Sequence, residues 1–209
     1  MDEQFVEWIS PMPLVAILRG LTPDKASETG AVLVDAGFRV MEVPLNSPNP
    51  IETISILAAE FGQRALIGAG TVMATDQISQ IADAGGKLIV SPHSDQNLIT
   101  AAKDRGLFSL PGVATPSEGF AALNTGADGL KLFPAEFLSP PVVKAWRAVM
   151  DRRVGLFPVG GITPDTIEAY WDAGATGFGL GSALFKADYT LSEIGANADR
   201  FITKMRTLI

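Results

Sequence analysis

A lysine lies within an apolar segment whose residue types predict a buried strand. Lys131 stands between Leu130 and Leu132 in "DGLKLFP". Side chains alternate along a strand, so the lysine points inward beside the small Gly129 if the leucines pack against helices. A desolvated lysine loses its charge more readily, and a neutral amine is a nucleophile for ketones. The segment therefore indicates Schiff-base chemistry or, alternatively, a lysine whose stem crosses apolar surface while its head reaches water.

A carboxyl group shares this predicted orientation. Glu42 in "VMEVPLN" follows Phe38 and Val40 at even spacing, so strand alternation turns it inward as well. An inward amine and an inward carboxylate are the minimal pair for imine formation, because the amine attacks and the carboxylate relays protons. A structural ion pair is the alternative. Burial would lower the pKa of Lys131 whereas Glu42 would raise it, and the sequence leaves the net direction open.

Small residues follow the last two predicted strands. "VGGITPD" contains Gly160 and Gly161, and "LGSALF" contains Gly181 and Ser182. At the C-terminal ends of such strands, backbone N–H groups and a helix N-terminus can hold a phosphate dianion without a lysine. Glycines also serve tight turns, but this position favours a phosphate site.

Three further polar residues follow predicted strands. Arg19 in "ILRGL" can hold a carboxylate in a bidentate fork, and the Thr71 hydroxyl can complete that contact. The alternative for Arg19 is an ion pair with Glu42. His93 in "SPHSD" precedes a predicted helix start, which favours a loop or capping role over catalysis.

The elements that must position these residues follow a repeated pattern. An amphipathic stretch, a glycine and a short apolar run recur every 20 to 25 residues along most of the chain, which indicates a repeated supersecondary unit. Each glycine suits the end of a helix, where positive φ is needed, and each apolar run reads as a strand buried on both faces. These glycines are at positions 37, 62, 85, 106, 126 and 174. The predicted strands span 14–18, 38–43, 65–70, 88–91, 107–110, 128–132, 155–159 and 176–180.

Eight alternations of strand and helix predict one (β/α)8 TIM barrel domain over residues 1–209. Helix starts are indicated at Thr22, Thr115 and Thr163, each followed by proline. An open doubly wound sheet is the alternative. No dinucleotide-binding glycine motif supports it, since "GAGTV" at 68–72 is too short a match.

Composition excludes several classes of protein. A net charge of −7 without a basic stripe argues against nucleic acid, and no apolar run is long enough to span a membrane. The acidic start "MDEQFVEWIS" is unlike a signal peptide, so we expect a cytoplasmic protein. The chain has no cysteine and one histidine, which excludes thiolate chemistry and a multi-histidine metal site within one chain. We therefore expect neither a metal nor another cofactor.

Together these strings resemble the 2-dehydro-3-deoxy-phosphogluconate and phosphogalactonate aldolases, a family of class I aldolases, from Pro13 to about residue 205. The matching strings are "AILRG", "DAGF", "EVPLNSP", "LIGAGTV", "LIVSP", "LPGVATPSE", "LKLFPAE", "VGGITP" and "GLGS". The resemblance implies a (β/α)8 barrel, usually a trimer, that cleaves a phosphorylated 2-keto-3-deoxy sugar acid into pyruvate and D-glyceraldehyde 3-phosphate.

The resemblance also implies roles for individual residues. Lys131 matches the imine-forming lysine and Glu42 the general acid/base, while the backbone at 160–161 and 181–182 matches the phosphate site. We also assign Pro92 and Phe133 to the substrate-binding set.

Two positions distinguish the branches of the family. The phosphogluconate branch typically has an arginine where this chain has Asn46, and a threonine where it has Val159. Both departures look like the branch that acts on the galactonate epimer, which differs at C4. Arg19 is well placed to replace the missing cation. Loss of the threonine hydroxyl shifts selectivity by ~1 to 3 kcal/mol, so stereochemical preference can be incomplete.

Overall fold

The computed structural model describes residues 1–209, in which short strands alternate with helices. The strands are Leu14–Ile17 (β1), Val40–Pro44 (β2), Leu66–Gly70 (β3), Leu88–Val90 (β4), Phe108–Leu110 (β5), Gly112–Val113 (β6), Leu130–Leu132 (β7), Leu156–Pro158 (β8) and Phe178–Leu180 (β9). The helices are Glu3–Ile9 (α1), Pro23–Ala36 (α2), Pro50–Phe61 (α3), Gln77–Asp83 (α4), Gln96–Asp104 (α5), Pro116–Asn124 (α6), Pro140–Arg147 (α7), Ile167–Asp172 (α8) and Leu191–Arg206 (α9). Each predicted strand overlaps an observed one, and β6 is an additional short strand that the sequence pattern did not indicate.

All strand pairs are parallel, as connections through helices require. One sheet has the order β5-β4-β3-β2-β1-β9 and the other the order β6-β7-β8. The molecule is therefore an α/β fold whose parallel strands form a half-barrel. Backbone contacts also join the two sheets: the Lys131 N–H donates to the Pro111 carbonyl at 2.9 Å, and Val159 forms a bridge with Gly179.

Apolar side chains form two clusters on opposite faces of the strands. The larger cluster has 49 buried residues and lies between strands and helices, and it contains Leu130 and Leu132. The smaller cluster has 10 residues and lies on the opposite, inner face of the strands, where Phe5 of α1 packs against Phe108 with ring centroids 5.4 Å apart. Burial on both faces explains why the strands read as continuous apolar runs. No helix is long and apolar enough to cross a membrane.

Most of the predicted helix boundaries are present. Five of the six glycines in the repeated pattern have positive φ, whereas Gly62, the C-cap of α3, has φ −60° in the right-handed region. Thr115 forms a capping box with Glu118. Thr163 is not the start of α8, because residues 164–166 form a turn and the helix begins at Ile167 with Thr166 as its N-cap.

Candidate active site

Lys131 enters the inner face of the strands, as alternation along β7 predicts. The residue is only 7% exposed, and Leu130 and Leu132 occupy the helix side of the strand. Its Nζ lies 4.7 Å from the centroid of the Phe133 ring, so one face of the amine is covered by an aromatic surface. Burial lowers the pKa of Lys131 below its ordinary value, and the positive charge of Arg19 adds to this effect against the opposing attraction of Glu42. The net direction that the sequence left open is therefore downward.

Glu42 faces the same side from β2, where it is in register with Ile17 of β1 and Gly68 of β3. The residue is 2% exposed. Burial raises the pKa of its carboxyl group to about 7, although the charges of Lys131 and Arg19 pull in the other direction. Its Oε2 atom has no hydrogen-bond partner. The carboxyl group can therefore exchange a proton near neutral pH without first breaking a hydrogen bond at that oxygen.

Lys131 and Glu42 line one small cavity. The other lining residues are apolar or lack a side chain and come from five more strands or strand ends: Val15, Ile17, Val90, Leu110, Phe157, Val159 and Gly179. An apolar wall excludes water and strengthens electrostatic interactions within the cavity. The arrangement provides a nucleophilic amine beside a group that can give or take a proton, which suits imine chemistry.

Arg19, whose charge acts on both Lys131 and Glu42, is held by two side chains rather than by Glu42. It donates one hydrogen bond from Nη1 to the Asn46 Oδ1 and a second from Nη2 to the Thr71 Oγ1 at 3.3 Å. No ion pair joins Arg19 to Glu42. Thr71 has φ 55°, a left-handed conformation that is rare for a β-branched residue and often marks a functional site. Asn46, which stands where the phosphogluconate branch has an arginine, orients Arg19, and its sequence context alone does not indicate this contact.

The glycine pair after β8 forms a left-handed turn. Gly160 has φ 114° and Gly161 has φ 63°. After β9, the N–H groups of Leu184 and Phe185 both donate to the Gly181 carbonyl, which forms a single helical turn. The N–H of Ser182, in the first part of that turn, has no acceptor in the chain, nor has the N–H of Gly161. These free donors are suited to an anion.

One residue at the glycine pair was not expected from the sequence. The side chain of Glu136, which follows β7, lies directly against Gly160 and Gly161, so that a Cβ at Gly160 would overlap its carboxyl group. A negative charge therefore borders the predicted phosphate position. The only sequence signal was the place of Glu136 in "LKLFPAE", five residues beyond Lys131 and after the same strand.

Pro92 and His93 follow β4 but differ in position. The Pro92 carbonyl packs so closely against Gly112 that a Cβ at Gly112 would have no room. Gly112 of β6 is in register with Lys131 of β7. Pro92 is thus close to the strand that carries the lysine. His93 is exposed, and its carbonyl accepts a hydrogen bond of 2.7 Å from the Ser91 hydroxyl. Asp95, rather than His93, caps α5.

Aldolases are the class of protein that this fold and this amine–carboxyl pair indicate. The chain belongs to the KDPG and KHG aldolase family, whose model matches residues 6–198. It is 39% identical over 204 residues to 2-dehydro-3-deoxy-6-phosphogalactonate aldolase of Escherichia coli (strain K12), a match that covers 98% of this chain and 100% of that protein.

Solved structures agree with this assignment. One described as "Native KDPGal structure" has a TM-score of 0.93 at 40% identity, covering 94% of this chain and 96% of that chain. Another is KDPG aldolase from Legionella pneumophila "with pyruvate captured at low pH as a covalent carbinolamine intermediate". It has a TM-score of 0.80 at 26% identity and covers 96% of this chain and 95% of that chain.

Proposed function

We propose that this protein is a Schiff-base aldolase that cleaves 2-dehydro-3-deoxy-6-phospho-D-galactonate into pyruvate and D-glyceraldehyde 3-phosphate. The observation that carries the proposal is the pairing of a buried Lys131 with a buried Glu42 in one apolar cavity. The name of the Escherichia coli relative supports the galactonate epimer as substrate.

The reaction begins at the amine. Neutral Lys131 attacks the C2 carbonyl, and protonated Glu42 supplies the proton with which the C2 oxygen leaves as water, giving a protonated imine. The Glu42 carboxylate then takes the proton of the C4 hydroxyl, directly or through a water. The C3–C4 bond breaks, its electron pair moves to the imine, and glyceraldehyde 3-phosphate leaves. Glu42 gives the proton it took from the C4 hydroxyl to C3 of the remaining enamine. Water then hydrolyses the imine to release pyruvate and the free amine, and the proton set free returns to Glu42.

The two ends of the substrate are held at opposite polar positions. Arg19 and Thr71 bind the carboxylate, because the guanidinium is already oriented by Asn46. The free N–H groups of the turns at 160–161 and 181–182 bind the phosphate. Phe133 and Pro92 border Lys131 and its partner strand, so they shape the space around C2 and C3.

Val159 favours the galactonate epimer. It lines the cavity with Lys131 and Glu42, and it presents methyl groups where a threonine would present a hydroxyl. The threonine hydroxyl of the phosphogluconate branch could hydrogen-bond the C4 hydroxyl, and its absence removes ~1 to 3 kcal/mol of preference for the gluconate epimer. An enzyme for the gluconate epimer, or for both epimers, is therefore the second candidate.

Other functions on this fold fit the site less well. A phosphosugar isomerase or epimerase would need Glu42 to shuttle a proton but would need no depressed pKa at Lys131. A phosphometabolite-binding protein without catalysis would need neither buried group. Both alternatives predict no covalent adduct with pyruvate.

Borohydride trapping tests the chemistry, and a coupled assay tests the substrate. Reduction with pyruvate present should add mass to the wild type at Lys131 and none to a Lys131→Ala variant. An unmodified Lys131 in the active wild type would overturn the mechanism.

Pyruvate release should be faster from the galactonate epimer, and Val159→Thr and Asn46→Arg should shift the preference towards the gluconate epimer. Faster wild-type turnover of the gluconate epimer would place this protein in the other branch.

We propose a closed eight-stranded barrel in one domain that forms a cytoplasmic homotrimer. The contacts between Lys131 and Pro111 and between Val159 and Gly179 support closure, with β5 and β6 acting as one strand. Apolar residues exposed on the surface include Phe120, Phe137 and Val149, 43%, 82% and 62% accessible, and burial of such side chains between subunits would stabilise the assembly. Light scattering should give three times the chain mass of 22.0 kDa, and a monomer would contradict the assembly.

A further inference from the structure

The two glycines of "LIGAGTV" occupy inward positions on β3 beside Glu42. Gly68 is in register with Glu42, and Gly70 is in register with Pro44, two residues further along β2. Ala69 lies between them and belongs to the cluster on the helix side. The inner face of β3 therefore has no side chain where the Glu42 carboxyl group lies.

The two glycines leave room for different neighbours. A Cβ at Gly68 would overlap the Leu88 carbonyl oxygen and Cβ, so Gly68 allows β4 to approach. A Cβ at Gly70 would overlap all three atoms of the Glu42 carboxyl group. Gly70 lies in an ordinary strand without positive φ, so its backbone would accept another residue. The absence of a side chain at Gly70 is thus required by the position of the Glu42 carboxyl group.

We propose that Gly70 is a positioning residue for Glu42. The inference rests on the proposed function of Glu42 as the proton-transfer group. Since Oε2 of Glu42 has no hydrogen-bond partner, that oxygen is located by packing against the Gly70 backbone rather than by a donor. A methyl group at residue 70 would push the carboxyl group away from its place beside Lys131, while leaving the lysine itself on β7.

The test compares Gly70→Ala with the same change in a Glu42→Ala background. Gly70→Ala alone should lower kcat by about 100-fold, the loss typical of a group displaced by about 1 Å, and should shift the pH profile. In the Glu42→Ala background the extra methyl has room, so Gly70→Ala should cause little further loss of kcat and little change in Tm. Gly195→Ala in α9 is the matched control, because its Cβ would make an ordinary contact of 3.5 Å with Val32 and should leave kcat and the pH profile unchanged.

The readouts separate this proposal from the proposed function. The Tm coupling between residues 42 and 70 needs no enzymatic activity, so it tests the contact even if the substrate is a different one. If Gly70→Ala does not fold, recovery of folding in the double variant supports the proposal. A double variant that also fails to fold, equal losses in both backgrounds, or a wild-type pH profile for Gly70→Ala would each overturn it.

Discussion

Replacing Glu42 with glutamine should make the protein more stable than the wild type, and the difference in the free energy of unfolding should grow as the pH rises. Burial raises the pKa of Glu42 from 4.5, the value expected in an unfolded chain, to about 7 in the fold. The folded state therefore holds the proton more tightly than the unfolded state. The stability that depends on this proton is fully present below pH 4.5 and is lost as the pH rises through about 7.

The magnitude follows from the difference between the two pKa values. A change from 4.5 to about 7 corresponds to about 3 kcal/mol in the free energy of unfolding. Because glutamine has the shape of the protonated side chain but does not ionise, wild type and Glu42→Gln should be similar in stability at pH 4.5. The variant should exceed the wild type by about 3 kcal/mol at pH 8 and above, where Glu42 is ionised in the folded wild type.

Urea denaturation at a series of pH values between 4.5 and 8 measures this difference. Glu118→Gln is a control of opposite sign, because hydrogen bonds from the Ala114 N–H and from Thr115 lower the pKa of Glu118. That variant should be less stable than the wild type throughout this pH range, and the deficit should disappear only in samples taken below pH 4.5, as the pH falls through the lowered pKa of Glu118. A stability difference between wild type and Glu42→Gln that does not change with pH would refute the reasoning.

Two further changes test the contact between Arg19 and Thr71 and the charge beside the glycine pair. Thr71→Gly should raise the free energy of unfolding by about 1 kcal/mol, because glycine accepts the left-handed φ of 55°. The same change should raise KM, because Arg19 loses a hydrogen-bond partner. A variant that is less stable in urea and has an unchanged KM would contradict both expectations. Glu136→Gln should lower KM for the phosphorylated substrate a few-fold, the effect of one screened surface charge, and the gain should shrink with added salt. An equal gain with an unphosphorylated analogue would show that Glu136 does not act on the phosphate.

The strands and the orientation of the reactive pair could be predicted because they depend on local pattern. Period-two alternation is sufficient to turn Lys131 and Glu42 inward, since Leu130 and Leu132 must meet the helices. Strand ends were predicted within two residues because a glycine of positive φ usually precedes each strand. Gly62 ends α3 with a right-handed φ instead, and nothing in its sequence context distinguishes it from the glycines with positive φ.

Contacts between distant segments could not be predicted in this way. The partner of Arg19 was open between Glu42 and a substrate carboxylate, and the observed partners, Asn46 and Thr71, come from two other strand ends. The packing of Glu136 on the glycine pair depends on how the loop after β7 folds over the end of β8. Such contacts are set by tertiary packing, which residue spacing does not encode.

The environment of the site moves the two reactive groups towards each other in pKa. Burial disfavours both charged forms, so it lowers the pKa of Lys131 and raises that of Glu42, while their mutual attraction only partly restores the charges. A water-exposed pair would remain ammonium and carboxylate, and the amine could not attack a ketone. The apolar wall of Val15, Val90 and Leu110 therefore contributes to the chemistry, because it favours the neutral forms of both the amine and the acid. A polar side chain in that wall would restore the charges and slow imine formation.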